Sequence, residues 1–213
     1  MDIEYIINQY YKKGTKLYDI FIDHADKVRE KSVYIASRIA HVTQNSTSNI
    51  KPDIKFIEEA AMLHDIGIFM TNSPSIYCMG EYPYICHGFL GRELLDSIGF
   101  PRHGLVSERH TGAGITLENI IANSLPLPHR DMVPVTIEEE IICFADKFYS
   151  KKPKWVGFEK SLDKIMEEME KLDQQNYSHL PILNNNSHLD KKSDYNNKTH
   201  SERFSGWVKK FLI

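Results

Sequence analysis

Apolar residues recur along this chain at three- and four-residue steps, the spacing of one face of an α-helix. The longest stripe runs from about Leu17 to Val42 and includes Phe21, Val28 and Ile35. The same spacing predicts further helices over about 2–12, 53–64, 87–98, 103–110, 115–124, 137–148, 158–172 and 202–212. No stretch shows a convincing strand alternation. The pattern therefore predicts an all-α fold, a helical bundle.

Polar and turn-forming residues separate these segments. Asp53 follows Pro52 and is a plausible cap for the third helix, and Thr136 with Glu139 has the spacing of a capping box. Residues 71–83 are rich in Ser, Asn, Gly and Pro with interleaved tyrosines, which indicates either a loop over a site or a plain surface connection.

The polar composition also divides the chain. Residues 1–172 are predicted to form one helical domain, and 200–213 a C-terminal helix that packs on it. Residues 173–199 contain runs of asparagine and few apolar residues, so we predict a flexible insertion there. His179, His188 and His200 lie in or beside that insertion and are not expected to bind metal.

Composition narrows the possible partners. The 213 residues are 41% apolar and 26% charged, which is ordinary for one globular domain. The formal net charge of -3 gives no basic footprint, so no nucleic-acid polymer is expected as a partner. Neither a signal peptide nor a membrane span is visible, which predicts a cytoplasmic protein without a membrane partner. The oligomeric state stays open.

The three cysteines show no Cys-x-x-Cys spacing, so neither a disulfide framework nor a thiolate metal site is indicated. Histidine and aspartate, by contrast, occur inside or at the ends of the predicted helices. Each has an ordinary explanation by itself, such as a core histidine bonded to backbone, a solvated helix end, or an aspartate paired with its neighbouring lysine. Six of them have inward or terminal positions on successive helices: His24, His64, Asp65, His87, His110 and Asp146.

A shared metal site explains all six positions at once, because an unpartnered buried carboxylate costs roughly several kcal/mol. Imidazole and carboxylate ligands without thiolates suit Mn, Fe, Zn or Mg. The sequence therefore predicts one or two divalent metal ions, without selecting the element.

In their order, these residues resemble the HD superfamily of metal-dependent phosphohydrolases, and His64-Asp65-Ile66-Gly67 resembles its His-Asp-Ile-Gly subgroup. The resemblance covers roughly 24–147 and implies a single HD-domain helical bundle. It also implies a first metal held by His24, His64, Asp65 and Asp146. His87 and His110 would then bind a second metal, with Asp65 as the bridge between the two ions.

The resemblance implies that a metal-activated water hydrolyses a phosphate ester, with a nucleotide or a small phosphorylated metabolite as the expected substrate. Asp65, Lys147 and Arg109 are then the catalytic candidates. Arg130 and the amides of 112–114 are further donors for phosphate oxygens, with solvated surface charge as the alternative for the arginine.

Two departures from the family pattern leave the substrate open. The Gly-Tyr-Pro signature of the cyclic-di-nucleotide branch is missing after His110, and no glutamate closely follows Gly67. Two alternative functions use the same ligands. One is a di-iron oxygenase of the superfamily, and the other is a non-catalytic nucleotide-binding module.

Overall fold

The computed structural model describes residues 2–43, 51–155, 157–177 and 198–212. Within these ranges the chain forms nine α-helices and three short strands. The helices are α1 (Ile3–Tyr10), α2 (Lys16–Thr43), α3 (Ile54–Leu63), α4 (His87–Ser97), α5 (Pro101–Arg109), α6 (Leu117–Ala122), α7 (Ile137–Asp146), α8 (Leu162–Tyr177) and α9 (His200–Phe211). The strands are β1 (Thr71–Ser73), β2 (Cys78–Met79) and β3 (Tyr82–Pro83).

The strands correct the all-α prediction. β1 lies between the other two, antiparallel to β2 and parallel to β3, so the protein is mostly helical with a small mixed sheet. The sheet lies in the turn-rich stretch that was predicted as a loop. Strands of two or three residues are too short for an alternating pattern to stand out from the turn residues around them.

Helix ends agree with the predicted ones to different degrees. α2 extends one residue beyond its predicted range at each end. α8 begins at Leu162 rather than Phe158 and continues to Tyr177, beyond the start predicted for the insertion. Within the rest of that insertion, 178–197, with His179 and His188, lies outside the described residues, and Thr199 caps the start of α9. The predicted domain boundaries stay a prediction.

Two predicted helix caps can be examined directly. The Asp53 carboxylate accepts a hydrogen bond from the Phe56 amide at 3.0 Å, as expected of a cap. Thr136 Oγ1 likewise accepts from the Glu139 amide at 3.2 Å. The Glu139 carboxylate, however, accepts from the Val135 amide and from Arg109 instead of closing the box. α7 therefore begins with half of the predicted capping box.

Helix packing brings the ligand-bearing ends together. α2 packs on α3 and α7, α4 packs on α5, and α8 packs on α9. Gly67, just after α3, lies so close to the start of α4 that a Cβ atom there would be 2.5 Å from the Gly91 amide nitrogen and closer still to the His87 carbonyl. A side chain at Gly67 would therefore push the α3 end away from α4.

The core continues around this junction. Phe21, Leu63, Ile66 and Leu95 are buried on one side of it, and on the other Phe144 packs against Phe204 of α9. Cys78, Cys86 and Cys143 are buried and form no disulfide. In the described part of the chain, no helix is long and apolar enough to cross a bilayer.

Candidate metal centre

Two groups of buried ligand-type side chains share Asp65. The first consists of His24, His64, Asp65 and Asp146, and the second consists of Asp65, His87 and His110. In each group the ligand atoms lie within 4.8 Å of one another. The helices thus bring together all six residues that were predicted as metal ligands, in the grouping that the resemblance implied. Their role as ligands stays a prediction.

Backbone carbonyls orient three of the four histidines. The Nδ1 atoms of His64, His87 and His110 lie 2.6 Å, 2.7 Å and 2.7 Å from the carbonyl oxygens of the residues three positions earlier. When Nδ1 donates its proton there, the lone pair of Nε2 points to the cluster. Each of these rings is near a helix end, where such a carbonyl is within reach.

The Nε2 atoms crowd around the two carboxylates. His24 Nε2 lies 2.9 Å from Asp146 Oδ1 and 3.3 Å from His64 Nε2, while His87 Nε2 lies 3.0 Å from His110 Nε2. Two lone pairs that face each other repel unless a proton or a cation lies between them. A proton or a cation between the facing nitrogens would remove this repulsion in each of the two groups.

Asp65 lies between the two groups and is fully buried. Its Oδ2 is 3.1 Å from His64 Nε2 and its Oδ1 is 3.3 Å from His110 Nε2. Neither oxygen accepts a hydrogen bond of good angle within the described structure. One carboxylate oxygen thus faces each group, which is the geometry that a bridging ligand needs.

Lys151 is a neighbour of the cluster that the sequence analysis missed. Its Nζ lies 2.6 Å from Asp65 Oδ2 and 3.7 Å from Asp146 Oδ1, although the residue follows the end of α7 by five positions. Burial alone would lower the pKa of Lys151, but the two carboxylates raise it above its usual value. Lys151 is therefore a cation at this site, and only its place in a run of lysines could have indicated it.

The buried charges shift the pKa values of the carboxylates. Burial alone would raise the pKa of Asp65, but Lys151 and the surrounding imidazoles hold it well below its usual range. Asp146 has a pKa lowered in the same way, by Lys147 and Lys151. Both groups are consequently ionised and are able to bind a cation.

The other predicted catalytic side chains have different surroundings. Lys147 Nζ lies 2.6 Å from Asp146 Oδ2 and donates to the His110 carbonyl at 2.9 Å, so it touches the cluster. Arg109 instead pairs with Glu139 at 3.0 Å. Arg130 pairs with the buried Glu108, its Nε lying 2.8 Å from Oε1. Of these three cationic side chains, Lys147 therefore contacts the cluster, whereas Arg109 and Arg130 pair with glutamates.

The glycine-rich turn 112–114 is held by α9. The Ala113 amide donates to His200 Nδ1 at 3.1 Å, and the Gly114 amide donates to the Thr111 carbonyl at 3.0 Å. Arg203 donates to the carbonyl oxygens of Ala113 and Gly114. These two amides are therefore engaged within the fold rather than forming the phosphate cradle considered from the sequence.

A cavity of about 540 Å³ opens beside the cluster. Asp146, Lys147, Lys151 and Tyr84 are among the residues that line it. Tyr84 is also the residue whose carbonyl oxygen orients His87. A molecule in this cavity would therefore contact Lys147, Lys151 and the Asp146 carboxylate.

Comparison with known proteins gives three informative relatives. A tRNA (cytidine(56)-2'-O)-methyltransferase of Picrophilus torridus is 36% identical over 133 residues, which are 62% of this chain and 32% of that protein. The enzyme of the same name from Thermoplasma volcanium is 31% identical over 141 residues, 66% of this chain and 34% of that protein. An uncharacterized protein of Methanocaldococcus jannaschii is 39% identical over 95 residues, 44% of this chain and 48% of that protein.

The chain therefore spans between about a third and a half of the length of these relatives. No family model matches the chain. No solved structure matches it either.

These findings correct the identification of the chain as an HD-superfamily, His-Asp-Ile-Gly-type phosphohydrolase. The named relatives are methyltransferases, which carry out a different class of reaction, and neither the oxygenase nor the nucleotide-binding alternative agrees with those names. The physical reason is that the pattern consists of cation ligands. Such ligands fix where an ion would bind, whereas the groups around the ion decide the reaction.

The predicted partners are corrected by the same comparison. A small phosphate ester was expected and a nucleic-acid polymer was not, yet the two named relatives act on tRNA. Net charge averages over the whole surface, so a value of -3 does not exclude a local cluster of lysines such as the one around the cavity.

Proposed function

We propose that this chain is a divalent-metal-binding helical domain that takes part in the 2'-O-methylation of tRNA. The observation that carries the proposal is the set of six buried ligand-type side chains in two groups that share Asp65. The names of the two methyltransferase relatives support tRNA as the partner and methylation as the reaction. A role on tRNA agrees with a location in the cytoplasm.

The residues fit one or two divalent ions. Three imidazoles already present Nε2 to the cluster, and both Asp65 oxygens lack a well-aligned hydrogen bond. Nitrogen and carboxylate oxygen donors suit Mn, Fe or Zn, and Mg less well. His24, His64, Asp65 and Asp146 would hold one ion, and Asp65, His87 and His110 the other.

Bound divalent ions would attract RNA phosphate oxygens and lower the pKa of a ribose hydroxyl nearby. Other residues of the chain supply cationic groups beside the ligands. Lys147 and Lys151 place two ammonium groups where the cavity meets the cluster, and each can hold a phosphate oxygen of the RNA backbone. The burial of the six ligands keeps bulk water away from them.

Two measurements on the full chain test this proposal. Elemental analysis of protein purified without added metal should find one or two divalent ions per chain, and Asp65→Asn should lose most of them. A tRNA transcript should be retained on a filter by the metal-loaded protein, and its methylation from S-adenosylmethionine should fall when the metal is removed with a chelator.

Arg102→Gln is a suitable control, because Arg102 is half exposed and pairs with Asp53 away from the cluster. It should keep the metal and the tRNA binding. Wild-type protein that binds no divalent metal would overturn the metal half of the proposal. Metal-loaded protein that neither retains tRNA nor affects its methylation would overturn the tRNA half.

A further inference from the structure

Two aromatic side chains are unusually exposed in the segment that connects α7 to α8. Trp155 is 52% exposed and Phe158 is 66% exposed, whereas the other tryptophan, Trp207, is 2% exposed. The Phe158 amide donates to the Trp155 carbonyl at 3.2 Å, and Gly157 between them has a φ of 86°. This turn holds both rings at the surface.

The two rings line a cleft of about 680 Å³. Lys152, Lys160 and Lys164 line the same cleft. Lys154, the residue before Trp155, places its Nζ 5.4 Å from the centre of the indole ring. Aromatic rings and ammonium groups thus alternate over a short distance.

The acidic residues of the cleft already have cationic partners. Glu159 pairs with Lys31 at 2.5 Å, and Glu168 pairs with Lys160 at 2.7 Å. In the described structure, Lys152 Nζ is in no ion pair. Lys164 pairs with Glu167 at 2.9 Å, so Lys152 carries the positive charge of the lining that no carboxylate of the described structure balances.

The cleft also adjoins the candidate metal centre. It shares Ser150, Lys152, Lys160 and Glu168 with the cavity beside the cluster. Lys151, the neighbour of Lys152, contacts Asp65. A chain-like ligand could thus extend from the exposed rings to the metal ligands.

We propose that this cleft, which we call the Trp155–Phe158 cleft, binds a single-stranded stretch of RNA. A base stacks on the exposed rings, and the lysines hold the flanking phosphates. Stacking on aromatic side chains combined with lysine–phosphate contacts is a general mode of single-stranded nucleic-acid binding. The names of the two methyltransferase relatives favour RNA over an acidic protein as the occupant. The inference rests on the proposed function and adds where the RNA is bound.

Tryptophan fluorescence tests the stacking directly. In a Trp207→Phe protein, Trp155 is the remaining tryptophan of the two in the sequence. Its fluorescence should be quenched when a tRNA transcript or a single-stranded oligonucleotide is added. Trp155→Ala and Phe158→Ala should each weaken RNA binding about tenfold, in line with the loss of one stacked base. Lys152→Ala should reduce the slope of log affinity against log salt by roughly one.

Two matched control variants change residues in α1 and just after it. Tyr5→Ala removes another exposed aromatic ring and Lys12→Ala another exposed lysine, and both should bind RNA as the wild type does. Circular dichroism should show the same helix content in every variant. Unchanged binding by the three cleft variants would overturn the cleft while leaving the proposed function intact. Absence of tRNA binding by the metal-loaded wild type would overturn both.

Discussion

His200 is buried at the start of α9, where its Nδ1 accepts the hydrogen bond of the Ala113 amide. Burial and the nearby Arg203 lower the pKa of His200 to about 4, from an ordinary value of 6.5. The folded protein therefore holds this imidazole in its neutral form. His200 was predicted to lie at the edge of a flexible insertion, and its contact with a turn 87 residues earlier in the chain leaves no local signal in the sequence.

Because the folded-state pKa is lower than the unfolded one, the contribution of His200 is fully present above pH 6.5 and is lost as the pH falls toward 4. Between pH 7 and pH 5 the wild type should lose about 2 kcal/mol more unfolding free energy than His200→Gln. Glutamine cannot become charged, yet its carbonyl can accept the same amide hydrogen. Urea titrations at the two pH values measure the difference, and equal losses would show that His200 is not held neutral.

Individual site residues were foreseen only where they carry a strong chemical signal. Imidazoles and carboxylates on apolar helix faces stand out, because burial without a partner is costly. Lys151 gave no such signal, since a lysine in a lysine-rich run is ordinarily solvated. Its contact with Asp65 depends on the path of the chain after α7, and the helical pattern does not specify that path.

At the scale of helices, glycines allow close approach in some places and merely weaken a helix in others. Gly67 lies against the backbone of α4, whereas a Cβ atom at Gly206 in α9 would meet nothing within 4 Å. Gly67→Ala should therefore destabilise the protein by about 1–3 kcal/mol through overpacking. Gly206→Ala should stabilise it by roughly 0.5–1 kcal/mol, because alanine favours the helix.

Thermal unfolding of the two glycine variants measures both effects. Each variant adds one methyl group, at a crowded position in Gly67→Ala and at an open position in Gly206→Ala. Gly67→Ala should also reduce the metal content, because the end of α3 carries His64 and Asp65 and the start of α4 carries His87. A Gly67→Ala protein with wild-type stability would contradict the close contact between these two ends.

Helices with a long apolar stripe were predicted closely from the sequence, and α2 is the best example. The three short strands were not predicted. β1, β2 and β3 have two or three residues each, and their pairing depends on contacts between strands rather than on a local period. The exposure of Phe158 was likewise missed, because 158–172 was predicted as a helix, and Trp155 lies before that range, where no prediction was made.

At the scale of the whole molecule, the ligand positions predicted the location of a site but not its reaction. All six residues come together in the fold, because a buried polar side chain is stable only where it has a partner. One fold can carry many unrelated functions, so the reaction class and the partner have to be inferred from the groups around the predicted ligands.

The distance along the chain between these ligands has a consequence for kinetics. His24 and Asp146 lie 2.9 Å apart in the fold but are separated by 122 residues in the sequence. We therefore expect the predicted ligands to come together only after the long-range contacts have formed, late on the folding pathway. A metal ion at 100 times its dissociation constant should then slow unfolding by about 100-fold and leave the refolding rate almost unchanged. Stopped-flow unfolding and refolding with and without the ion measure both rates, and Asp65→Asn is the control. Faster refolding with the ion would mean that the ligands assemble early.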